Sequence, residues 1–294
     1  CVRERERERE RKRERERERE RARESVYVCD CERERERERE RESGAMERLG
    51  VLWVVVGVCL TMAGSGMQLA LERQPHSCRS WRFNVDVNNL HGWSVVPHKC
   101  EDDVEDYMTS SAYHEDVSEA LDEALTYART FMYSADYNAS IRYAWIFAVD
   151  ETSLSNVHYY KNHKYGAEAF NDTLFNKWVE LAKAPALEAT LDLFDSLKDW
   201  GYCLFFLSGR NESQRSATIK NLVKVGYTDY EALILRQTDD IGVNATFYKS
   251  SKRKSLEDLG YTIVGNVGDQ WSDFTGDSTG NRVFKLPNPM YYTG

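Results

Sequence analysis

The stretch 67–294 predicts an α/β fold, a parallel sheet with helices on both faces. Three observations carry that expectation. Short apolar runs of strand length recur at Tyr143–Val149, Tyr202–Leu207, Ala232–Leu235 and Thr262–Val267, with a fifth at Arg282–Leu286. Segments of helical spacing separate most of them, and strand–helix alternation implies parallel pairing. Polar turns carrying Asp, Ser and Lys cluster beyond the carboxyl ends of the runs, the edge where open α/β sheets bind ligands.

The helices follow from periodicity. Over 115–131, Val117, Ala120, Leu121, Ala124, Leu125 and Ala128 fall on one face, and acidic residues crowd the start, as the helix dipole prefers. Asn171–Ala182 and Pro185–Trp200 are the next helices; Pro185 suits a first helical position. In the latter, Leu187, Leu191, Phe194 and Leu197 form a stripe that Gly201 closes. A helix over about 212–225 ends at Gly226, and Ser250–Leu259 precedes Gly260. The Trp-rich segment between Cys78 and Cys100 offers few regular-structure signals.

The N-terminus is of another kind. Residues 3–24 and 32–42 are nearly pure Arg/Glu alternation. A helix would set like charges four apart, and a strand would have no apolar face to bury, so disorder is the expectation. The first Met is Met46, and 1–45 reads as translated leader outside the natural product. From Met46 a short charged start, an apolar stretch from Leu49 to about Ala63, and Gly64, Ser65 and Gly66 have the layout of a secretory signal peptide over 46–66. Contact with a membrane is then transient, and the remaining 67–294 forms one domain.

Residues 67–294 carry 22 Lys+Arg against 32 Asp+Glu, an acidic balance that argues against a nucleic-acid partner. Cys78, Cys100 and Cys203 remain after trimming. In an oxidising compartment Cys78 and Cys100 are expected to pair, and Cys203, in an apolar strand, reads as a buried free thiol. Asn138, Asn171, Asn211 and Asn244 begin Asn-x-Ser/Thr triplets open to glycosylation in a secreted chain. Asn211 is expected to be the least occupied, because it follows the Ser208-Gly-Arg210 turn directly.

The polar turns have chemistry in common. Ala148-Val-Asp150-Glu-Thr152 follows the first strand, Ser208-Gly209-Arg210 the second, and Asp269 and Asp273 the fourth, with Lys249 ahead of the fourth strand's helix. Asp150 suits a general acid, the Ser208 hydroxyl with the N–H groups after it suits phosphate oxygens, and Asp269 and Asp273 are hard-oxygen ligands for Mg²⁺. Lys249 is the expected phosphate contact in its basic run, with Lys252 in reserve. Thr152 reads as turn support, and Arg210 is assignable to pocket or surface alike.

These motifs, with Cys78-Arg-Ser-Trp-Arg82, Val96-Pro-His-Lys-Cys100, Gly166-Ala-Glu168, Leu174-Phe-Asn-Lys-Trp178, Gly265-Asn-Val-Gly-Asp-Gln-Trp-Ser-Asp273 and Phe284-Lys-Leu-Pro-Asn-Pro-Met-Tyr-Tyr292, resemble the plant acid phosphatases and vegetative storage proteins of the haloacid dehalogenase-like superfamily, class B-like. The resemblance implies a Rossmann-like core and a small helical cap inserted at about 155–185. It also implies Mg²⁺ bound through Asp150, Asp269 and Asp273, extracellular or vacuolar residence, and dimers in some members. It departs at one position: where the family's first motif has its nucleophilic Asp, this chain has Ala148. Ser153 and Ser155 lie too far along the turn to substitute. The expected function is thus a phosphomonoesterase of weak or lost activity, or a non-catalytic storage or phosphate-binding glycoprotein.

Overall fold

The computed structural model describes residues 76–294. The expected leader (1–45) and signal segment (46–66) lie outside the described residues. Among the described residues no helix is long and apolar enough to cross a membrane.

The elements run α1 (Cys78–Asp86), α2 (Glu101–Thr109), α3 (Ser111–Met132), β1 (Arg142–Phe147), α4 (Val157–Lys161), α5 (Asp172–Glu180), α6 (Glu188–Asp199), β2 (Cys203–Asn211), α7 (Arg215–Val225), β3 (Ala232–Arg236), α8 (Ala245–Asp258), β4 (Tyr261–Gly268) and β5 (Arg282–Lys285). The five strands form one parallel sheet in the order β3-β2-β1-β4-β5. The α/β expectation holds, with β1 at the centre.

β1 is buried on both faces because its side chains alternate between two apolar layers. Trp145, Phe147 and Val149 join the layer beneath α3 and α6, whereas Ala144 and Ile146 face Tyr248 and Leu256 of α8. Trp145 stacks on Phe284 of β5 with ring centroids 5.7 Å apart, and its own ring covers β4. That crossing requires Gly265, where a Cβ would lie 2.4 Å from the indole. The β1–β4 register slips at the same place, between Ala144 and Trp145.

Several expectations are corrected. The Cys78–Cys100 segment opens on a helix: Ser77 caps α1 by accepting from the Ser80 N–H, and α2 begins just beyond the segment at Glu101 with three acidic residues in its first turn. The Cys78–Cys100 disulfide forms as expected, holding together two helices that the apolar pattern alone does not announce. Cys203 is free but half-buried. Burial still raises its thiol pKa. Ser208 lies within β2, which runs on to Asn211 through a register irregularity after Leu207. α8 begins five residues earlier than expected, because Asn244 accepts from the Thr246 and Phe247 N–H groups and so caps it. Lys249 is therefore on the helix and not before it.

Candidate functional site

The expected site residues gather at the carboxyl edge of the sheet, in two hydrogen-bonded networks. The first begins on the turn after β1. The Ala148 N–H donates to the Val267 carbonyl at 2.9 Å, and the Ser153 hydroxyl donates to the Ala148 carbonyl at 2.7 Å. This backbone is held regardless of the side chain at 148, which is a buried methyl. Two residues on, the Asp150 carboxylate accepts from Arg210 Nη2 at 2.7 Å and from Nε at 3.1 and 3.2 Å. Arg210 is buried, with its Nη1 on the Thr218 hydroxyl at 3.0 Å, and its backbone N–H donates to Ser208 Oγ at 3.1 Å. The sequence left Arg210 unassigned; it is buried and forms the fork that fixes Asp150. Gly209 between them is exposed.

The second network surrounds the turn after β4. Lys249 Nζ donates to Asp273 Oδ1 at 2.7 Å, both side chains being buried. Asp273 Oδ2 accepts from the Gln270 N–H at 3.0 Å. This approach requires Gly268, where a Cβ would lie 2.5 Å from that carboxylate oxygen. Asp269 Oδ2 accepts from Gln270 Nε2 at 2.8 Å and Asn288 Nδ2 at 2.7 Å. Its Oδ1 accepts from the Thr152 hydroxyl at 3.1 Å, so Thr152 links the two turns. Burial raises the Asp269 pKa above the usual carboxylate range, and the Asp273 charge adds to the effect. The turn is braced from behind by Arg253, one turn after Lys249 on the same face of α8. Its guanidinium donates to the carbonyls of Asp273, Thr275, Asp277 and Ser278 at 2.6–3.1 Å. Lys252 points elsewhere, to Asp240 at 2.9 Å, which leaves Lys249 as the lysine of the site. The networks meet where the Tyr248 hydroxyl donates to the Ser208 carbonyl at 3.1 Å.

Three residues that sequence reasoning passed over tie this edge to the rest of the molecule. Glu151 is fully buried with φ +46°, and its carboxyl accepts from the Tyr291 hydroxyl at 2.6 Å and from Asn156. Burial, then the charges of Asp150 and Asp269, push its pKa up to about 8. Asn156 also donates to Asp150 Oδ1 at 2.8 Å and accepts from the Trp178 indole of α5 at 2.8 Å. The quoted stretch containing Asn288 and Tyr291 was a signal that these residues serve the site, but their partners are far away in sequence.

A hard cation needs oxygen ligands that are free of competing donors. Of the three expected ligands, Asp150 is held by Arg210, Asp273 by Lys249, and Asp269 by two amides and a hydroxyl. Among the described residues no three His, Cys, Asp or Glu side chains converge to hold a metal. As arranged, this donor set does not fit Mg²⁺.

Two cations are thus set against three carboxylates at the carboxyl edge of a parallel sheet. Residues 62–294 match the HAD superfamily, subfamily IIIB (Acid phosphatase), and the chain belongs to that family. It is 47% identical over 220 residues to Acid phosphatase 1 of Solanum lycopersicum, covering 75% of this chain and 85% of that protein. It is 41% identical to the Stem 28 kDa glycoprotein of Glycine max (73% and 83% covered) and 38% identical to Vegetative storage protein 1 of Arabidopsis thaliana (74% and 78% covered). The class C acid phosphatase from Bacillus anthracis, solved with tungstate bound, shares the fold with a TM-score of 0.55 at 21% identity, over 65% of this chain and 85% of that one. Acid phosphatases of this superfamily usually use a divalent metal.

Proposed function

We propose that this protein binds phosphate or a phosphomonoester at the carboxyl edge of its sheet and hydrolyses it weakly or not at all. The observation that carries the reading is the methyl group at Ala148. Carbon and hydrogen cannot attack phosphorus, so the aspartyl-phosphate route is closed. What remains suits holding an anion: the Ser208 hydroxyl, the Gly209 N–H and the Lys249 charge. With a methyl and not a carboxylate at position 148, the incoming anion avoids a repulsion of several kcal/mol near a protein surface. Asp150 stands in the general-acid position. Arg210 offers only donors, so proton delivery by Asp150 requires that the fork let go of an oxygen.

The test is a phosphomonoester assay at acidic pH with Mg²⁺, comparing this chain with Ala148→Asp. A strong gain supports the reading, and equal robust activity in both overturns it. Trapping a covalent phosphoryl adduct on the unaltered chain also overturns it. The binding half is tested by calorimetry with inorganic phosphate. Affinity lost in Lys249→Ala is expected; weak affinity that this variant leaves unchanged counts against it.

The second reading, a secreted or vacuolar storage glycoprotein, is favoured by the same methyl group and by the names of the soybean and Arabidopsis relatives. Asn138, Asn171 and Asn244 are exposed, while Asn211 is half-buried in a capping box with Gln214. Glycopeptide mapping with sequencing of the mature N-terminus tests the glycans and the signal cleavage together.

A further inference from the structure

The groups at the carboxyl edge are closed off from solvent. Ala148, Ser208, Lys249, Asp269 and Asp273 are each at most 5% exposed. A ligand of Lys249 therefore has to displace part of the protein first. The segment Leu286–Gly294 crosses this edge. It leaves β5 with the Leu286 N–H on the Gly268 carbonyl at 2.7 Å. It meets Asp269 through Asn288 Nδ2 and Glu151 through the Tyr291 hydroxyl. It ends at α8, where the Gly294 carbonyl accepts from the Ala245 N–H at 3.1 Å.

The two parts of this segment are held very differently. In 286–291, Leu286, Asn288 and Met290 are buried. The chain there passes so close to Gly166 that a Cβ would lie 1.8 Å from the Met290 carbonyl oxygen. Thr293 and Gly294, by contrast, are exposed, and Tyr292 is half-buried. Among the described residues, 292–294 is tied by the Ala245 bond, by the Thr293 N–H on Gln270 Oε1 at 2.8 Å, and by the Tyr292 ring tilted on Trp93 with centroids 6.2 Å apart. Exposed segments with few ties open at far lower free energy than buried ones.

Both hydrogen-bonded ties flank the Lys249–Asp273 pair. Ala245 lies one turn before Lys249 on the same face of α8. Helical side chains lean toward the N-terminus, so Lys249 leans toward Ala245 and the carbonyl seated on it. On the other side, the Gln270 N–H donates to Asp273 Oδ2, and Gln270 Nε2 donates to Asp269 and to the Tyr291 carbonyl. The amide that receives Thr293 is thus the one that positions the two acids.

We propose that Tyr292–Gly294 is a latch that gates access from solvent to Lys249, opening by release from Gln270 and Ala245. That an anion is what enters rests on the phosphate reading above; the gating of Lys249 does not.

Labelling of Lys249 by acetic anhydride, located by mass spectrometry on the full chain, tests the latch, and calorimetry with inorganic phosphate tests what it admits. Thr293→Pro deletes the N–H donated to Gln270, whereas Thr293→Ala keeps it. One hydrogen bond is about 5-fold in the latch equilibrium. Thr293→Pro should therefore label about 5-fold faster and bind phosphate about 5-fold more tightly, and Thr293→Ala should match the unaltered chain. Unchanged labelling in Thr293→Pro, or an equal rise in Thr293→Ala, overturns the latch. Faster labelling in Thr293→Pro with no phosphate binding by either chain supports the latch and overturns the phosphate reading alone.

Discussion

The turns after β1 and β4 leave neighbouring parallel strands and face one another, yet their chemistry has diverged. The turn after β4 keeps Asp269 and Asp273, each with a full set of donors, and is braced by Lys249, Arg253 and Asn288. The turn after β1 has the same kind of backbone support, from Val267 and Ser153, but bears a methyl at its first position. Neither backbone contact passes through the side chain at 148. The difference teaches that the frame of this site does not depend on the side chain at 148: it stands on other residues.

On the proposed reading, a carboxylate placed at 148 should then bring hydrolysis in one step. Ala148→Asp is expected to raise phosphomonoester turnover by about 10³-fold or more, given that losing a nucleophile costs up to about 10⁶ elsewhere. A magnesium-dependent shift in melting temperature should be larger in Ala148→Asp than in the unaltered chain. Breaking the other turn should act on folding. Lys249→Ala leaves Asp273 buried without its cation, and a loss of about 3–5 kcal/mol in urea unfolding is expected; Lys249→Met with Asp273→Asn should recover most of it.

The two turns also differ in how they answer pH. Glu151 sits on the β1 turn with its pKa pushed up to about 8 from an ordinary 4.5. Below 4.5 both folded and unfolded chains hold this proton, and its contribution is fully present. Between 4.5 and 8 only the folded chain holds it, so stability falls as pH rises through that window. Asp269, also raised, acts in the same direction. Melting temperatures taken from pH 5 to pH 8 should decline, and Glu151→Gln should flatten the decline by a few kcal/mol of stability over the window. A profile that Glu151→Gln leaves unchanged would remove Glu151 as the cause. The smallest effect belongs to the link between the turns: Thr152→Val cuts the 3.1 Å bond to Asp269 and should cost about 1 kcal/mol, measured by the same unfolding curves.

Much of the frame was readable from residue order. All five strands and most helices of 115–294 follow from apolar periodicity, and the sheet edge collects the polar turns because parallel topology brings strand ends together. What escaped reading had identifiable physical causes. α1 and α2 are short, and their buried faces are made largely of Trp81, Val85, Val104, Tyr107 and Met108 amid polar neighbours, too sparse for a pattern. The start of α8 was set by one capping Asn, not by its apolar residues. Arg253 looked like a member of a solvated basic run, yet its four-residue spacing from Lys249 turns both inward together. Arg210, Glu151 and Asn156 act through partners that only folding brings near, and no local signal distinguishes them from surface polar residues.

The bond from the Trp178 indole to Asn156, and from Asn156 to Asp150, has a practical side. It wires an intrinsic fluorophore on α5 to the carboxylate that the Arg210 fork holds. Any anion that pulls Arg210 from Asp150 disturbs the acceptor that the indole sees. Emission compared between this chain and Trp178→Phe thus offers a label-free optical gauge of occupancy, readable even where no product is ever released.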